Sequence, residues 1–337
     1  MFEYLVGQHS DNFMVTESGL HQDRLNHPIN ISIVVPFYRG EEFLPRLAES
    51  IMASYLASPG NLSFELIVVV DSIESDTVYL SSMLHQITGN NDNVFLLIIK
   101  NDLNLGVAWS RMIGNSLSTG TFTTFIDQDD YVGLPYFSVL ERHLSGDFDF
   151  FLLNGYIEFE KQKLHRPVFY YHPRLTFGKI ARVNYLITPG LLIFNRKRIS
   201  AEFRQLSAKH PGSDDWACYL QLLTNPSLKY KYLKERLVHY VVHDTNYHQD
   251  KSNFIISQIR TIQYFRRLCP GNFAVKIKLS SLQFRLKRHL SMIKLSALTL
   301  SDISGFLSFI FIELFILPNL IWLIWSRRLA MHNSRKV

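Results

Sequence analysis

From residue 29 onward the chain alternates short, nearly continuous apolar runs with segments whose apolar positions recur every three or four residues. Ile31-Ser32-Ile33-Val34-Val35 is a β-branched run stopped by Pro36, and Leu66-Ile67-Val68-Val69-Val70 is a second. Val94 to Ile99 and Thr121 to Ile126 read as two more strands. Between them the spacing predicts helices over Glu41 to Ala57, with Phe43, Leu44, Leu47 and Ile51 on one face, over Asp76 to Gln86, and over Gly106 to Leu117, ended by Thr119-Gly120. Strands that lack polar alternation are covered on both faces, so the pattern predicts an α/β fold with a mostly parallel central sheet and helices on either side. Ligands of such sheets sit outside the carboxyl ends of the strands, at a switch in strand order. Three of those ends read Pro36-Phe37-Tyr38, Asp71-Ser72 and Asp127-Gln128-Asp129-Asp130.

The pattern changes after residue 150. Phe150 to Arg198 mixes short strands and turns around an aromatic cluster, Phe169-Tyr170-Tyr171, and a helix begins after Ser213 with Asp214-Asp215-Trp216. Gly305 to Trp325 is an apolar stretch whose only charge is Glu313, long enough for a bilayer span but interrupted by Pro318-Asn319. Lys276 to Leu295, just before it, is basic and rich in Leu, Ile and Phe, as suits a segment lying in a membrane interface. Residues 1–28 have early acids and no apolar core behind a basic start, so they do not read as a secretory signal. The expected division is an N-terminal extension over 1–28, an α/β domain over 29–265, and a basic, hydrophobic, membrane-associated helical tail over 266–337.

Composition narrows the function. Apolar residues are 47% of the 337, with 25 Phe and 16 Tyr, which provides a packed core and excludes wholesale disorder. Two cysteines, Cys218 and Cys269, are too few for a disulfide framework or a cysteine-based zinc site. The net charge of +6 lies in the tail: residues 270–337 hold ten Lys or Arg against Asp302 and Glu313, which leaves the rest of the chain slightly acidic. No nucleic-acid partner is expected, because its basic footprint would lie on the folded domain. Arg285, Lys287, Arg288 and Lys294 precede the apolar stretch, and Arg327, Arg328, Arg335 and Lys336 follow it. Four against four provides no inside–outside bias. Glu313 at mid-membrane depth is costly in hydrocarbon, so the tail is expected to be a re-entrant or interfacial anchor on anionic lipid.

Asp127-Gln128-Asp129-Asp130 is the sharpest chemical signal. Three carboxylates just past a buried strand repel one another unless a cation or strong donors neutralise them. Mg²⁺ or Mn²⁺ takes carboxylate oxygens and shares itself with substrate phosphates; the plainer alternative is a solvated acidic turn.

With these residues the chain resembles the family 2 glycosyltransferases of the GT-A fold, of bacterial surface-polysaccharide type. The matching pieces are IVVPFYRGEEFLPRLAESI (33–51), ELIVVVDSIESDT (65–77) and NLGVAWSRMIGNSLSTGTFTTFIDQDD (104–130), with similar features at PGLLIFNRKRI (189–199), SDDW (213–216) and HDTN (243–246). The resemblance implies a Rossmann-like catalytic domain in which Pro36, Tyr38, Asp71, Arg111 and Asp127 contact the donor, with Asp127 on the ribose or metal. It implies a Mn²⁺ or Mg²⁺ cofactor held on the nucleotide diphosphate by Asp129, with Asp127 and His243 as further ligands. Asp215 matches the family's base, with Asp214 the alternative. The partners implied are a nucleotide-sugar donor, expected to be UDP-linked, and a glycan or lipid-linked acceptor at membrane lipid. The expected activity is an inverting, metal-dependent transfer in surface-polysaccharide biosynthesis, and the implied localisation is the cytoplasmic face of the cell membrane, the bacterial inner membrane.

The chain departs from the family pattern at Val70, where the first of a pair of acids is usual, and at Met112, where Asn is usual. Plainer roles stand beside these: Asp71 as a turn cap, Arg111 paired with a surface acid, and Ser213 as an N-cap with Asp214 and Asp215 favoured by the helix dipole. His210, His239 and His248 have no comparable case, and Cys218 reads as a core residue. Gln263-Tyr264-Phe265-Arg266-Arg267 lacks the Trp of the processive-synthase signature. Two other functions fit parts of the pattern: a non-catalytic nucleotide-sugar-binding membrane protein on a decayed transferase scaffold, and a sugar-phosphate nucleotidyltransferase. The second would want a Gly-rich basic loop, and residues 36–45 offer one Gly and no Lys.

Overall fold

The computed structural model describes residues 27–60, 62–199, 213–243 and 251–268, together with 13–16, 279–280, 282–283 and 286. The chain divides into two compact units, one formed by Met1–Leu175 and Tyr185–Gln249, the other by Thr176–Asn184 and Asp250–Val337. The expected extension 1–28 and tail 266–337 lie mostly outside the described residues, as does the whole apolar stretch 305–325. Among the described residues no helix is long and apolar enough to cross a membrane.

The first unit is built on one mixed sheet. Its parallel core contains β2 (Ile31–Phe37), β3 (Phe64–Val70), β4 (Val94–Asn101) and β5 (Phe122–Phe125), in the order β4-β3-β2-β5. Every residue of β2 and β3 is buried, as their unbroken apolar sequence requires. The helices between them are α1 (Leu44–Leu56), α2 (Thr77–Thr88) and α3 (Val107–Leu117). Observed and expected ends differ by a few residues, and local chemistry sets them. Asp76 caps α2 by accepting from the Val78 and Tyr79 amides, and Gly106 enters α3 at φ +86, where a side chain would be strained.

Each face of the core has its own packing. Val34, Ile67, Val69, Leu97, Ile99 and Ile113 form one cluster, and α3 approaches so closely that a Cβ at Gly114 would lie 2.3 Å from Val34 Cγ1. On the opposite face Phe64 packs on Tyr55 of α1 and on Phe137 of α4 (Tyr136–Glu141), at centroid separations of 5.2 and 5.0 Å.

Beyond β5 the sheet turns mixed. β9 (Leu192–Asn195) lies antiparallel between β5 and β7 (Phe150–Phe159). The long β10 (Tyr230–Val242) runs parallel to β7, with register shifts between Leu233 and Val238. Antiparallel edges are supplied by β6 (Tyr131–Val132) against β10, by β8 (Leu164–Pro167) against the end of β7, and by β1 (Phe13–Thr16) against β4. These strands are short or polar, so their antiparallel pairing leaves no mark in a search for buried parallel strands. The expected aromatic cluster also divides: Phe169 is buried, whereas Tyr170 and Tyr171 are 70% and 88% exposed. A helix, α6 (Asp214–Leu222), starts where expected.

In the second unit, α5 (Phe177–Arg182) and α7 (Lys251–Leu268) are described. Ile255, Ile259, Ile262 and Phe265 are buried apolar positions of α7, and Phe265 meets Phe177 edge-on at 6.1 Å.

β2 is the switch point of the first unit, since the chain adds β3 and β4 on one side of it and then β5 on the other. A buried carboxylate secures that switch. Glu65 of β3 accepts from the Ser32 hydroxyl at 2.5 Å and from the amides of Thr119 and Gly120 at 2.6 and 3.2 Å, tying together β2, β3 and the entry to β5. Glu65→Ala should therefore strand these buried donors and cost roughly 2–3 kcal/mol, read as a lower urea midpoint at unchanged slope. An unchanged midpoint would show that this clamp carries no weight.

Candidate active site

The three strand ends singled out in the sequence come together at the switch, and each acid meets a different partner. Asp127 follows β5, and its Oδ1 accepts from Arg111 Nη2 at 2.5 Å. The same guanidinium donates through Nη1 to Asp214 Oδ2, also at 2.5 Å. Arg111 is buried on α3, with Asp214 buried in the first turn of α6 and Asp127 partly open. One buried cation thus joins two acids 87 positions apart and brings Asp215 beside them. The two carboxylates hold Arg111 firmly protonated.

Asp129 faces the end of β10. Its Oδ2 lies 2.7 Å from His243 Nε2, and both side chains are largely covered. Burial and the neighbouring Asp127 charge push the Asp129 carboxyl above its ordinary value. Asp130 has a different task. It is fully buried, accepts from the Thr188 hydroxyl at 2.8 Å and the Val241 amide at 3.0 Å, and so fastens the acidic loop to β10. Burial and the charges of Asp129 and Asp127 raise its carboxyl strongly. The sequence motif does not distinguish this structural acid from its neighbours, because Thr188 and Val241 are far away in the chain.

Asp214 and Asp215 open α6, where the helix dipole favours acids. Ser213 occupies the N-cap position without making the side-chain cap bond. Asp215 Oδ1 accepts from the Trp216 amide at 2.6 Å. Burial, then repulsion from Asp214, pushes the Asp215 carboxyl up to about 7, a value suited to a base working near neutrality.

Asp71 is heavily engaged within the fold. Its carboxylate accepts from Asn101 Nδ2 at 2.7 Å and from the amides of Leu105 and Gly106 at 2.8 and 2.7 Å. It holds the entry to α3 against the end of β3, with about one of its four acceptor positions left. Pro36 is buried within β2, while the Tyr38 ring beyond it is 44% exposed.

Several contacts at the site carried no local sequence signal. Gln128 accepts from the Tyr38 amide at 2.8 Å and donates to the Tyr38 carbonyl at 3.0 Å, a reciprocal pair across 90 residues. Arg46 Nη2 donates to the Asp129 carbonyl at 2.5 Å. Beside the loop, Tyr131 and His239 share Glu158 at 2.6 and 2.7 Å and stack on each other at 4.3 Å. His239, which the sequence left without a role, belongs to that cluster. Cys218 is half-buried on α6, and His210 and His248 lie outside the described residues.

Among the described residues no group of three or more His, Cys, Asp or Glu side chains is arranged to hold a metal by itself. The Asp129–His243 pair nevertheless fits part of a shell. Two neighbouring ligands of an octahedral ion at ~2.1 Å stand about 3 Å apart, close to the 2.7 Å between Oδ2 and Nε2. The remaining positions would fall to Asp127, water or substrate oxygens.

Comparison with known proteins shows what the chain is similar to. The family model described as glycosyl transferase family 2 matches residues 32–198. The chain is 29% identical over 101 residues to a putative polypeptide N-acetylgalactosaminyltransferase 13 of Drosophila melanogaster, and 32% identical over 100 residues to an uncharacterized glycosyltransferase of Haemophilus influenzae. Those alignments take in 29% and 30% of this chain and span only 18% and 29% of the relatives' own lengths. Crystal structures of S. aureus TarS residues 1–349 share the fold at TM-scores of 0.50 with UDP bound and 0.52 with UDP-GlcNAc bound. Identity is 15% and 14%, over 81% and 83% of this chain and 77% and 79% of those chains.

The Arg111 bridge makes a prediction independent of any substrate. Arg111→Met leaves Asp214 buried without its counter-charge, so the folded state should lose about 3–5 kcal/mol at pH 7. The loss should shrink toward pH 4, where Asp214 can take a proton, and urea titrations at both pH values measure it. Equal losses at the two pH values would show that charge compensation is not what Arg111 supplies.

Proposed function

We propose that this chain, whose residues 32–198 are a glycosyl transferase family 2 domain, transfers a sugar with inversion from a UDP-linked donor to a hydroxyl of a glycan or lipid-linked acceptor. The observation that carries the reading is the Arg111 bridge, which joins Asp127, just past β5, to Asp214, beside Asp215, next to the strand-order switch. The TarS complexes with UDP and UDP-GlcNAc support a nucleotide-sugar donor.

In this reading the acceptor hydroxyl gives its proton to Asp215 as its oxygen attacks the anomeric carbon from the face opposite the diphosphate. The new C–O bond forms while the bond to the diphosphate oxygen breaks, and the electron pair leaves with the diphosphate. A carboxyl held at about 7 is ionised often enough to accept that proton and basic enough to keep it. Mn²⁺ or Mg²⁺, when bound, supplies charge neutralisation for the leaving diphosphate. Asp129 and His243 would hold it, with Asp127 beside them. Arg111 acts from behind, fixing Asp127 and Asp214. Asp71 fixes the α3 entry and offers its remaining acceptor position toward the base, and Tyr38 presents its ring at the end of β2.

A role in surface-polysaccharide assembly at the cytoplasmic face of the bacterial inner membrane is supported by the basic, apolar sequence of residues 276–337. Removing those residues should shift the protein from the membrane to the soluble fraction.

The decisive experiment is a panel of nucleotide sugars scored for nucleotide release with Mn²⁺ and with a chelator. Asp129→Asn should abolish most of the metal-dependent release and leave the fold intact. Asp215→Asn should lower turnover about 10²–10⁴-fold with donor affinity little changed. In the wild type, kcat/KM should fall about tenfold per pH unit below pH 7 as Asp215 takes a proton. Full activity of Asp129→Asn at saturating donor would overturn the metal assignment. If Asp214→Asn, rather than Asp215→Asn, lost turnover, the base would move by one residue.

A further inference from the structure

We infer that the first turn of α1, through Phe43 and Arg46, is the positioning element of the Asp129–His243 pair and sets how tightly that pair takes a divalent cation. The inference rests on the reading of that pair given above. The Phe43 ring lies on the His243 imidazole, with centroids 5.1 Å apart and planes at 22°. Three residues on, Arg46 Nη2 donates to the Asp129 carbonyl at 2.5 Å, and its guanidinium lies over the Tyr131 ring at 5.3 Å. Residues i and i+3 share one face of a helix, so a single helical turn grips both halves of the pair.

Neither grip uses the atoms that would meet a cation. Asp129 is held by its main chain and His243 by its ring face, which leaves Oδ2 and Nε2 directed at each other. The grip is itself braced. Gln128 ties the loop before α1 to the acidic loop through both main-chain groups of Tyr38, and Gly40 makes room for it, since a Cβ there would lie 2.3 Å from the Gln128 amide. The Gly40 carbonyl also accepts from the amides of Phe43 and Leu44, which starts the helix at that point. On the other side Tyr131 is anchored through Glu158 and His239. The angle between carboxylate and imidazole is therefore imposed from α1. Groups that orient metal ligands in this way typically change metal affinity ~10–100-fold when removed.

The sign of the Arg46 effect separates positioning from simple electrostatics. A guanidinium near a cation site repels the ion, so if charge were its whole contribution Arg46→Met would tighten cation binding. If Arg46 positions Asp129, the same change loosens it. The test titrates Mn²⁺ alone into the full chain and follows free Mn²⁺ by electron paramagnetic resonance, with circular dichroism to confirm folding. Phe43→Leu and Arg46→Met should each weaken binding about tenfold or more. Phe43→Tyr, which keeps the stacked ring, should stay near the wild type, and Arg46→Lys, which keeps one donor, should fall between. Unchanged or tighter binding in Arg46→Met, or a loss in Phe43→Tyr as large as in Phe43→Leu, overturns the inference while the pair itself stands. A wild-type chain that takes no Mn²⁺ overturns the metal reading and this inference together. If Arg46→Met does not fold, Arg46→Lys and the two Phe43 variants decide.

Discussion

Asp127, Asp214 and Asp215 gather at the buried Arg111 guanidinium, and Asp129 and Asp130 lie beside Asp127 in the acidic loop. The excess of negative charge has three outlets, and the structure uses each at a different residue. Asp127 and Asp214 take the guanidinium. Asp130 takes neutral donors from Thr188 and Val241. Asp129 meets His243 and Asp215 accepts from the Trp216 amide, and burial raises both carboxyls, as it does those of Asp130 and Asp214. A carboxyl raised in this way binds a proton or a cation more readily than a free one, which is the property the proposed transfer would draw on.

The fold delivers that imbalance through topology. The acids lie just past β5, next to the end of β2, where Gln128 meets Tyr38. The antiparallel β6–β10 pairing then returns the chain so that His243, at the end of β10, reaches Asp129. Asp130 makes this return possible, since it is the acid bonded to Val241 two residues before His243.

How much of this could be read from the sequence follows from the range of the interactions. β2, β3, β4 and the three helices between β2 and β5 were legible, because burial on both faces writes an unbroken apolar run into the chain. The acids and Arg111 were legible as types at a family spacing. What each acid does was not: Asp130 and Asp127 look alike in sequence, and only partners 58 and 16 positions away distinguish them. Asp71 shows the same limit, since its engagement with Asn101, Leu105 and Gly106 depends on how β3 meets α3. Of the strands after residue 130, β7, β8 and β9 fall where mixed short strands were expected, whereas β6 is too short to carry a period and the half-polar β10 lacks the apolar run of the core strands. Gln128 and Arg46 escaped because their partners are main-chain atoms, which have no residue type to recognise.

Gln128 grips Tyr38 by its amide and carbonyl, leaving the aromatic side chain outside the joint. The fastening is therefore indifferent to which side chain stands at position 38. Exchange of that ring alters the exposed surface at the end of β2 without disturbing the bolt that keeps the two loops in register. Mechanical integrity and surface chemistry are uncoupled at a single residue, which allows the rim to diversify over evolutionary time while the reactive interior keeps its shape.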